Sequence, residues 1–212
     1  MMVATSTRPF RAGILAAILA VLGAALTVTP AAAQTDRAAA QALFDQAVQL
    51  RDEGQISEAC AKFEESLRLD PGVGTRFNLA DCMERDGRFA TAWSHFLEVV
   101  AATEMAGQGD RADVARARAK KLEPKLSKLQ LTPTSPVTGM AIKRNGIVVG
   151  QAQWDTAVPV DAGTYAIEAT APGKRPWSGT VTVEGEGKVV RFEVPALADA
   201  PTPPAGAPPS PG

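Results

Sequence analysis

The stretch ALFDQAVQLRDEGQISEACAKFEESLRLDP (42–71) and the later stretch TRFNLADCMERDGRFATAWSHFLEVVAATE (75–104) carry one helical pattern twice. Set against each other at a spacing of 33 residues, they match in the pairs Ala47 and Ala80, Leu50 and Met83, Gly54 and Gly87, Ile56 and Phe89, Ala59 and Ala92, and Phe63 and Phe96. A repeat of this length with two helices per unit is typical of a stacked helical array. Such arrays bind partners and rarely carry out chemistry, so this part of the chain predicts a binding protein and leaves its partner open.

The charges of the chain are nearly balanced, with 22 basic and 23 acidic residues among 212. A strongly basic surface would favour nucleic acid, and nothing in this composition does. We therefore expect no nucleic-acid partner, in a chain long enough for one or two domains.

Residues 1–33 have the features of a secretory signal peptide. Arg8 and Arg11 precede an almost entirely apolar run, Ala12–Val28, and three small alanines precede Gln34. This order predicts cleavage before Gln34 and export to the periplasm or cell envelope. An uncleaved anchor is the alternative, because the apolar run is nearly long enough to span a membrane. No later run is comparably apolar, so we expect no membrane span in the mature chain.

Both cysteines of the sequence, Cys60 and Cys82, lie in the repeats. The repeat register places Cys60 midway along the second helix of the first unit. Cys82 falls in the first helix of the second unit, which packs against it. An even cysteine count in an exported chain favours a disulfide between them. The alternative is two small buried apolar side chains in adjacent helices.

The apolar spacing predicts four helices in the repeats, over about 35–51, from Gln55 or Ser57 to about 70, over 75–85 and over 89–105. Gly54 ends the first helix, as a residue able to adopt a positive φ should. The second helix ends at Asp70-Pro71-Gly72, because proline cannot continue a helix.

The order of residues in the two units resembles the tetratricopeptide repeat. The first unit carries it at Ala47, Gly54, Ile56, Ala59, Phe63 and Pro71, and the second carries it at Ala80, Gly87, Phe89, Ala92 and Phe96. Leu43 and Arg76 stand where the family usually has an early tryptophan, and the second unit lacks the closing proline.

In that family the first helix of each unit lines a concave groove. The resemblance implies a partner-binding groove formed by Phe44, Val48, Arg51, Phe77, Asp81, Glu84 and Arg85. If exposed, Phe44 and Phe77 would suit an apolar peptide anchor; alternatively, neighbouring residues bury them. Asn78 matches one member of the family's carboxylate-clamping set, but Phe44 and Val48 replace polar members, so we do not expect that activity.

A fifth helix, rich in Ala, Arg and Lys, begins near Asp110 and is kinked or ended by Pro124. We expect it to cap the array with an apolar face of Val114, Leu122, Leu126 and Leu129. Its basic face could instead contact an anionic lipid or an acidic partner.

Beyond the boundary at 132–136 the apolar spacing changes from helical to alternating. Asn145-Gly146 between two apolar pairs is a strong hairpin signal, and 164–169, 181–183 and 188–194 alternate as half-buried strands do. We therefore predict an α+β protein, with an all-α tetratricopeptide-like array over 34–131 and a small all-β sandwich over 132–195. The Pro-rich segment 196–212 is predicted to be a disordered tail.

The sandwich resembles the PEGA-like surface domain of bacterial envelope proteins. The resemblance is carried by Arg144-Asn145-Gly146, by the stretch 158–165 (VPVDAGTY), by 171–174 (APGK) and by Val194-Pro195. The PEGA tetrapeptide itself is missing.

No residue pattern in the chain points to catalysis. His95 is the single histidine, and the sequence indicates neither a nucleophile beside it nor a Cys/His cluster for a metal. We expect no enzyme activity and no cofactor. Trp154 and Trp177 either belong to the sandwich core or stack on sugar rings. The sequence thus predicts an exported adaptor for a protein partner, with a cell-wall glycan-binding protein as the alternative.

Overall fold

The computed structural model describes residues 31–201, and the side chains from residue 35 onward. The predicted signal peptide (1–33) therefore lies outside the described residues, apart from Ala31, Ala32 and Ala33 in the backbone of the first helix. The segment 202–212 also lies outside them.

The described chain has five α-helices followed by strands in two β-sheets, so the predicted α+β class is confirmed. The helices are α1 (Ala31–Asp52), α2 (Ile56–Leu69), α3 (Val73–Arg85), α4 (Phe89–Met105) and α5 (Gly109–Leu122). The four repeat helices lie where the apolar spacing predicts them, and Gly54 after α1 has a φ of 83°.

The helical core is built from the residues that the repeat holds constant. Four alanines, Ala47, Ala59, Ala80 and Ala92, are completely buried. Their small side chains allow the helix axes to approach closely, and Phe63 and Phe96, also completely buried, fill the space between helix layers.

Cys60 on α2 and Cys82 on α3 have their sulfur atoms at disulfide distance, with the two Cα atoms 5.5 Å apart. Both residues are at most 1% exposed, within the helical core.

The fifth helix ends just before Pro124, which is one of the two effects predicted for this proline, so Leu126 and Leu129 lie beyond the helix on whose array-facing side the sequence placed them. Helix α5 ends at Leu122, and a short 3₁₀ turn, Glu123–Lys125, contains Pro124. Of the residues expected to face the array, Leu122 is buried, but Val114 is 55% exposed and Leu129 lies in a β-strand of the sandwich core. The expectation is therefore wrong for Val114 and Leu129. The face of α5 that packs on the array instead consists of small residues: Ala112, Ala115 and Ala119.

Seven strands form the β part of the described chain. They are β1 (Ser127–Pro133), β2 (Ala141–Arg144), β3 (Ile147–Val149), β4 (Val158–Val160), β5 (Gly163–Thr170), β6 (Trp177–Val183) and β7 (Val189–Val194). One sheet has the order β4-β1-β7, with β1 and β7 parallel, and the other has the order β3-β2-β5-β6 and is antiparallel throughout. Because β1 begins at Ser127, the β part starts before the expected boundary at residue 132.

The hairpin predicted at Asn145-Gly146 joins β2 to β3. Both residues have positive φ angles, 49° and 78°, as a two-residue turn matched to the twist of the strands requires. The inward residues of both sheets, including Leu129, Ile142, Ile167 and Val194, form one shared core.

The expected disordered tail is wrong for its first residues. Leu197 is only 8% exposed and packs into the sandwich core. The backbone N–H of Arg175 donates to the Ala198 carbonyl, that of Ala200 donates to the Gly173 carbonyl, and Lys174 pairs with Asp199 at 2.6 Å. One apolar residue and these bonds hold the segment after β7 against the β5–β6 loop.

The helical part and the sandwich meet at the beginning of α4. Asp161, between β4 and β5, accepts hydrogen bonds from the backbone N–H groups of Ala90 and Thr91 at 2.8 and 3.1 Å, and from the Thr91 hydroxyl. Its carboxylate thus caps a helix of the other part, because the first N–H groups of a helix have no partner within it.

Candidate functional site

Two adjoining cavities flank the first half of α3, and Gly74 and Asn78 line both of them. The first, of about 400 Å³, lies between α3, α4 and α5. Its wall is almost entirely apolar and is formed mainly by Val73, Phe77, Val99, Thr103 and Val114, with Asp110 and Arg111 at its rim. The second, of about 350 Å³, lies between α1, α2 and α3 and is lined by Phe44, Arg37, Gln41, Asp70 and neighbouring residues. Together they form a groove across α3, which we call the α3 groove.

Phe44 and Phe77 occupy equivalent places in the two repeat units. The Phe44 ring packs edge-on against Phe63, and the Phe77 ring packs in the same way against Phe96, with ring centroids 5.3 and 5.4 Å apart. Both phenylalanines are half-buried, and each lines one of the two cavities. Each ring therefore completes the helical core on one side and forms groove wall on the other, which combines the two alternatives that the sequence left open.

The other groove residues predicted on α1 face the interior of the repeats. Val48 is half-buried and packs on the helical core. Arg51 donates to the Asn78 side-chain oxygen at 3.1 Å, while the Asn78 amide donates to the Gly74 carbonyl at 3.0 Å. Asn78 is thereby fixed at the point where the two cavities meet.

The predicted residues at the other end of α3 are engaged by α5. The Arg118 guanidinium lies 2.7 Å from both Asp81 and Glu84 and sits 5.0 Å from the centroid of the Phe96 ring. Arg85 pairs with Asp81 at 2.9 Å. Because these carboxylates are already paired, the second half of α3 offers no free charge to a partner, and the open part of the groove lies at the first half.

The sequence reasoning did not identify Val73, Val99, Thr103 and Val114 as groove residues. It assigned Val114 to the array-facing side of α5, together with Leu122, Leu126 and Leu129. The helical spacing of Ala112, Ala115 and Ala119 is the signal that places the packed face elsewhere and turns Val114 toward the groove.

His95 on α4 lies outside the α3 groove. Its Nδ1 atom is 3.5 Å from Arg76 Nη1 and 3.8 Å from the Glu98 carboxylate. Burial lowers the pKa of His95 below 6.5; Glu98 opposes this shift, and Arg76 adds to it. In the described part of the chain, no group of three or more His, Cys, Asp or Glu side chains could hold a metal ion.

The two tryptophans of the sandwich are half-buried and pack against its core. Trp154 donates its indole N–H to the Val149 carbonyl at 3.3 Å. The Trp177 ring lies 6.2 Å from that of Phe192 and close above Gly179. Both rings therefore contribute to the core, which is one of the two roles that the sequence allowed.

Comparison of the chain with protein-family models gives no match, and comparison with curated proteins gives no significant match. The tetratricopeptide and PEGA-like resemblances thus remain predictions from the residues that carry them. No helix in the described part of the chain combines the length and the apolar character needed to cross a membrane.

Proposed function

We propose that this protein is a non-enzymatic exported adaptor, which holds an extended apolar segment of a protein partner in the α3 groove. The observation that carries this proposal is the first cavity, an apolar space of about 400 Å³ open at the surface between α3, α4 and α5. A cavity of this size accommodates a few apolar side chains.

The shape and chemistry of the groove fit a peptide better than an isolated small molecule. The second cavity continues the groove past Asn78 toward α1, and its lining is more polar, with Arg37, Gln41 and Asp70. An extended segment could place apolar side chains against Phe77 and Val114, and its backbone could reach these polar groups. The groove is preformed, because α5 is held on α3 by Arg118, so binding requires little ordering of the protein.

Export and placement in the envelope form the second part of the proposal. They rest on the leader pattern over 1–33 and on the PEGA-like resemblance of the sandwich over 132–195. In this arrangement the sandwich places the protein in the cell envelope, and the helical array binds the partner.

The test selects binders from a random peptide library with the mature chain as bait. Val114→Glu places a charge in the apolar cavity, and we expect it to weaken every selected peptide by about tenfold or more, because a bound apolar side chain would remove water from the carboxylate. Met105→Glu is the matched control, since Met105 is 90% exposed on α4 and does not line the cavity. Phe44→Ala and Phe77→Ala are poorer tests, because their rings also pack in the core.

Peptides that bind Val114→Glu and the parent chain equally would overturn groove binding. The same holds if no peptide binds while cell-wall fragments change the fluorescence of Trp154 and Trp177. That second result would favour a glycan-binding sandwich.

A further inference from the structure

A separate cleft, distinct from both cavities of the α3 groove, lies between α4 and the sandwich. It has a volume of about 370 Å³ and opens to solvent. Its polar lining comes from both parts of the protein and includes Thr91, Ser94, His95, Arg144, Asp161 and Tyr165.

The one carboxylate in the cleft is fully engaged. Asp161 accepts from two backbone N–H groups of α4 and from the Thr91 hydroxyl, and the Arg88 guanidinium lies 3.9 Å away. Glu98, the acidic residue nearest to His95, pairs with Arg76. Neither carboxylate is free to neutralise a further cation.

Arg144 is a cation of the cleft that takes part in none of these ion pairs. It lies at the end of β2, on the same face of the strand as the completely buried Ile142. An aliphatic residue would be usual on that core-facing side. Its guanidinium sits 5.7 Å from the Tyr165 ring centroid, and no carboxylate in the described part of the chain pairs with it. A half-buried arginine at the mouth of a cleft, with its planar set of donors unused, is suited to binding an oxyanion.

Two further donors accompany Arg144. Arg76 can only donate, so in its 3.5 Å contact with His95 the Nδ1 atom acts as the acceptor. This contact assigns the proton of the neutral ring to Nε2. That N–H has no acceptor among the described residues, and the exposed hydroxyl of Ser94 lies one residue away on the same helix. Tyr165 stays protonated, because burial and the nearby Asp161 raise its pKa; its hydroxyl donates to the Asp161 carbonyl at 2.7 Å.

We infer that this cleft binds a small oxyanion, a carboxylate or phosphate group, with Arg144 as the principal ligand and Ser94 and His95 as additional donors. The site joins the helical part to the sandwich, so an occupant would contact both. It is separate from the α3 groove, and its test does not depend on the proposed function.

The experiment is an NMR titration of the mature chain with sodium phosphate and, separately, sodium acetate, at fixed pH and at an ionic strength held constant with sodium chloride. The imidazole of His95 is an unambiguous probe, because the sequence contains a single histidine. We expect its signals and the Ser94 amide to shift and saturate with at least one of the two anions. Saturation with phosphate alone would assign the site to phosphoryl groups, and saturation with both would assign it to oxyanions in general.

Arg144→Gln should weaken this binding by about tenfold, as loss of a charged hydrogen-bonding partner does. Arg191→Gln is the matched control: it removes the same charge from an exposed arginine of the sandwich and should leave the affinity unchanged. The Ala90 and Thr91 amides report whether α4 still contacts Asp161. If these amide signals move in Arg144→Gln, the test uses Ser94→Ala in place of that variant, because Ser94 lies on the exposed face of α4. Ser94→Ala should weaken anion binding by about threefold.

Shifts that rise linearly with both anions, without saturation, would overturn the inference. The inference would also be overturned if Arg144→Gln, with the α4 amides unmoved, bound the anion as tightly as the parent chain does. Where Ser94→Ala replaces that variant, equal affinity in Ser94→Ala would overturn it in the same way.

Discussion

The ionisation of His95 is the first residue-scale property that the structure makes testable. Burial lowers its pKa below 6.5, the nearby Glu98 and Glu64 oppose this shift, and Arg76 and Arg88 add to it. The imidazole should therefore titrate below pH 6.5 in an NMR experiment. Between the folded pKa and 6.5 the unfolded chain binds more protons, so the free energy of unfolding should fall as the pH drops through that window. His95→Gln should remove this component, and a midpoint at or above 6.5 would contradict it.

Gly179 on β6 is a second residue-scale test, because the Trp177 ring lies against it. A Cβ atom added at Gly179 would be 2.7 and 2.8 Å from two ring carbons of Trp177, closer than unstrained atoms approach. Gly179→Ala should push the ring aside and lower the free energy of unfolding by about 1–3 kcal/mol, measured by urea denaturation. Gly150→Ala is the control: Gly150 has a φ of −58° and open space around it, so a change within about 0.5 kcal/mol is expected. Equal losses in both variants would exclude this contact as the cause.

At the scale of elements, the parts that repeat or alternate over many residues were predictable. The spacing of Ala47, Ala59, Ala80 and Ala92 locates four helices and their packed faces, and Asn145-Gly146 locates the hairpin. The end of α5 was not predictable from spacing alone. Leu122, Leu126 and Leu129 fit a helical period, while Leu129 and Leu131 also fit the alternation of β1. Pro124 ends the helix between them, so Leu129 lies in the strand.

The contact between α4 and the sandwich shows why the sites were harder to predict than the fold. Asp161 lies 70 residues from Thr91, to which it is bonded, so no local sequence pattern connects the cap to its helix. The oxyanion cleft depends on the same long-range contact. Its residues come from α4, β2, β4, β5 and the connection between β4 and β5, and each has an ordinary role when it is considered within its own element.

The cap itself yields an element-scale prediction. Asp161→Ala removes the acceptor for the Ala90 and Thr91 N–H groups and should lower the free energy of unfolding by about 1 kcal/mol, as loss of other helix caps does. Hydrogen exchange at these two amides should become faster. Asp161→Asn retains a side-chain oxygen acceptor and should lie between the parent and the alanine variant. Unchanged exchange in Asp161→Ala would show that the carboxylate does not hold α4 in solution.

At the scale of the whole molecule, α4 is the element shared by both proposed sites. Val99 and Thr103 in its second half line the α3 groove, and Ser94 and His95 in its first half line the oxyanion cleft. Because the sandwich caps α4, the helical array and the sandwich are linked through one helix. The stability of the array should therefore influence both sites.

The cysteine pair should contribute to that stability, because Cys60 and Cys82 connect the two repeat units. Their sequence separation of 22 residues corresponds to a loop whose closure stabilises the fold by about 3 kcal/mol in the chain-entropy estimate. Urea unfolding with and without reductant should differ by about that amount, once the reductant is added under denaturing conditions that expose these buried residues. The double variant Cys60→Ala, Cys82→Ala should match the reduced parent chain and show no response to reductant. Two free thiols per molecule in the unreduced protein would contradict the pairing and attribute the closeness of the two residues to core packing alone.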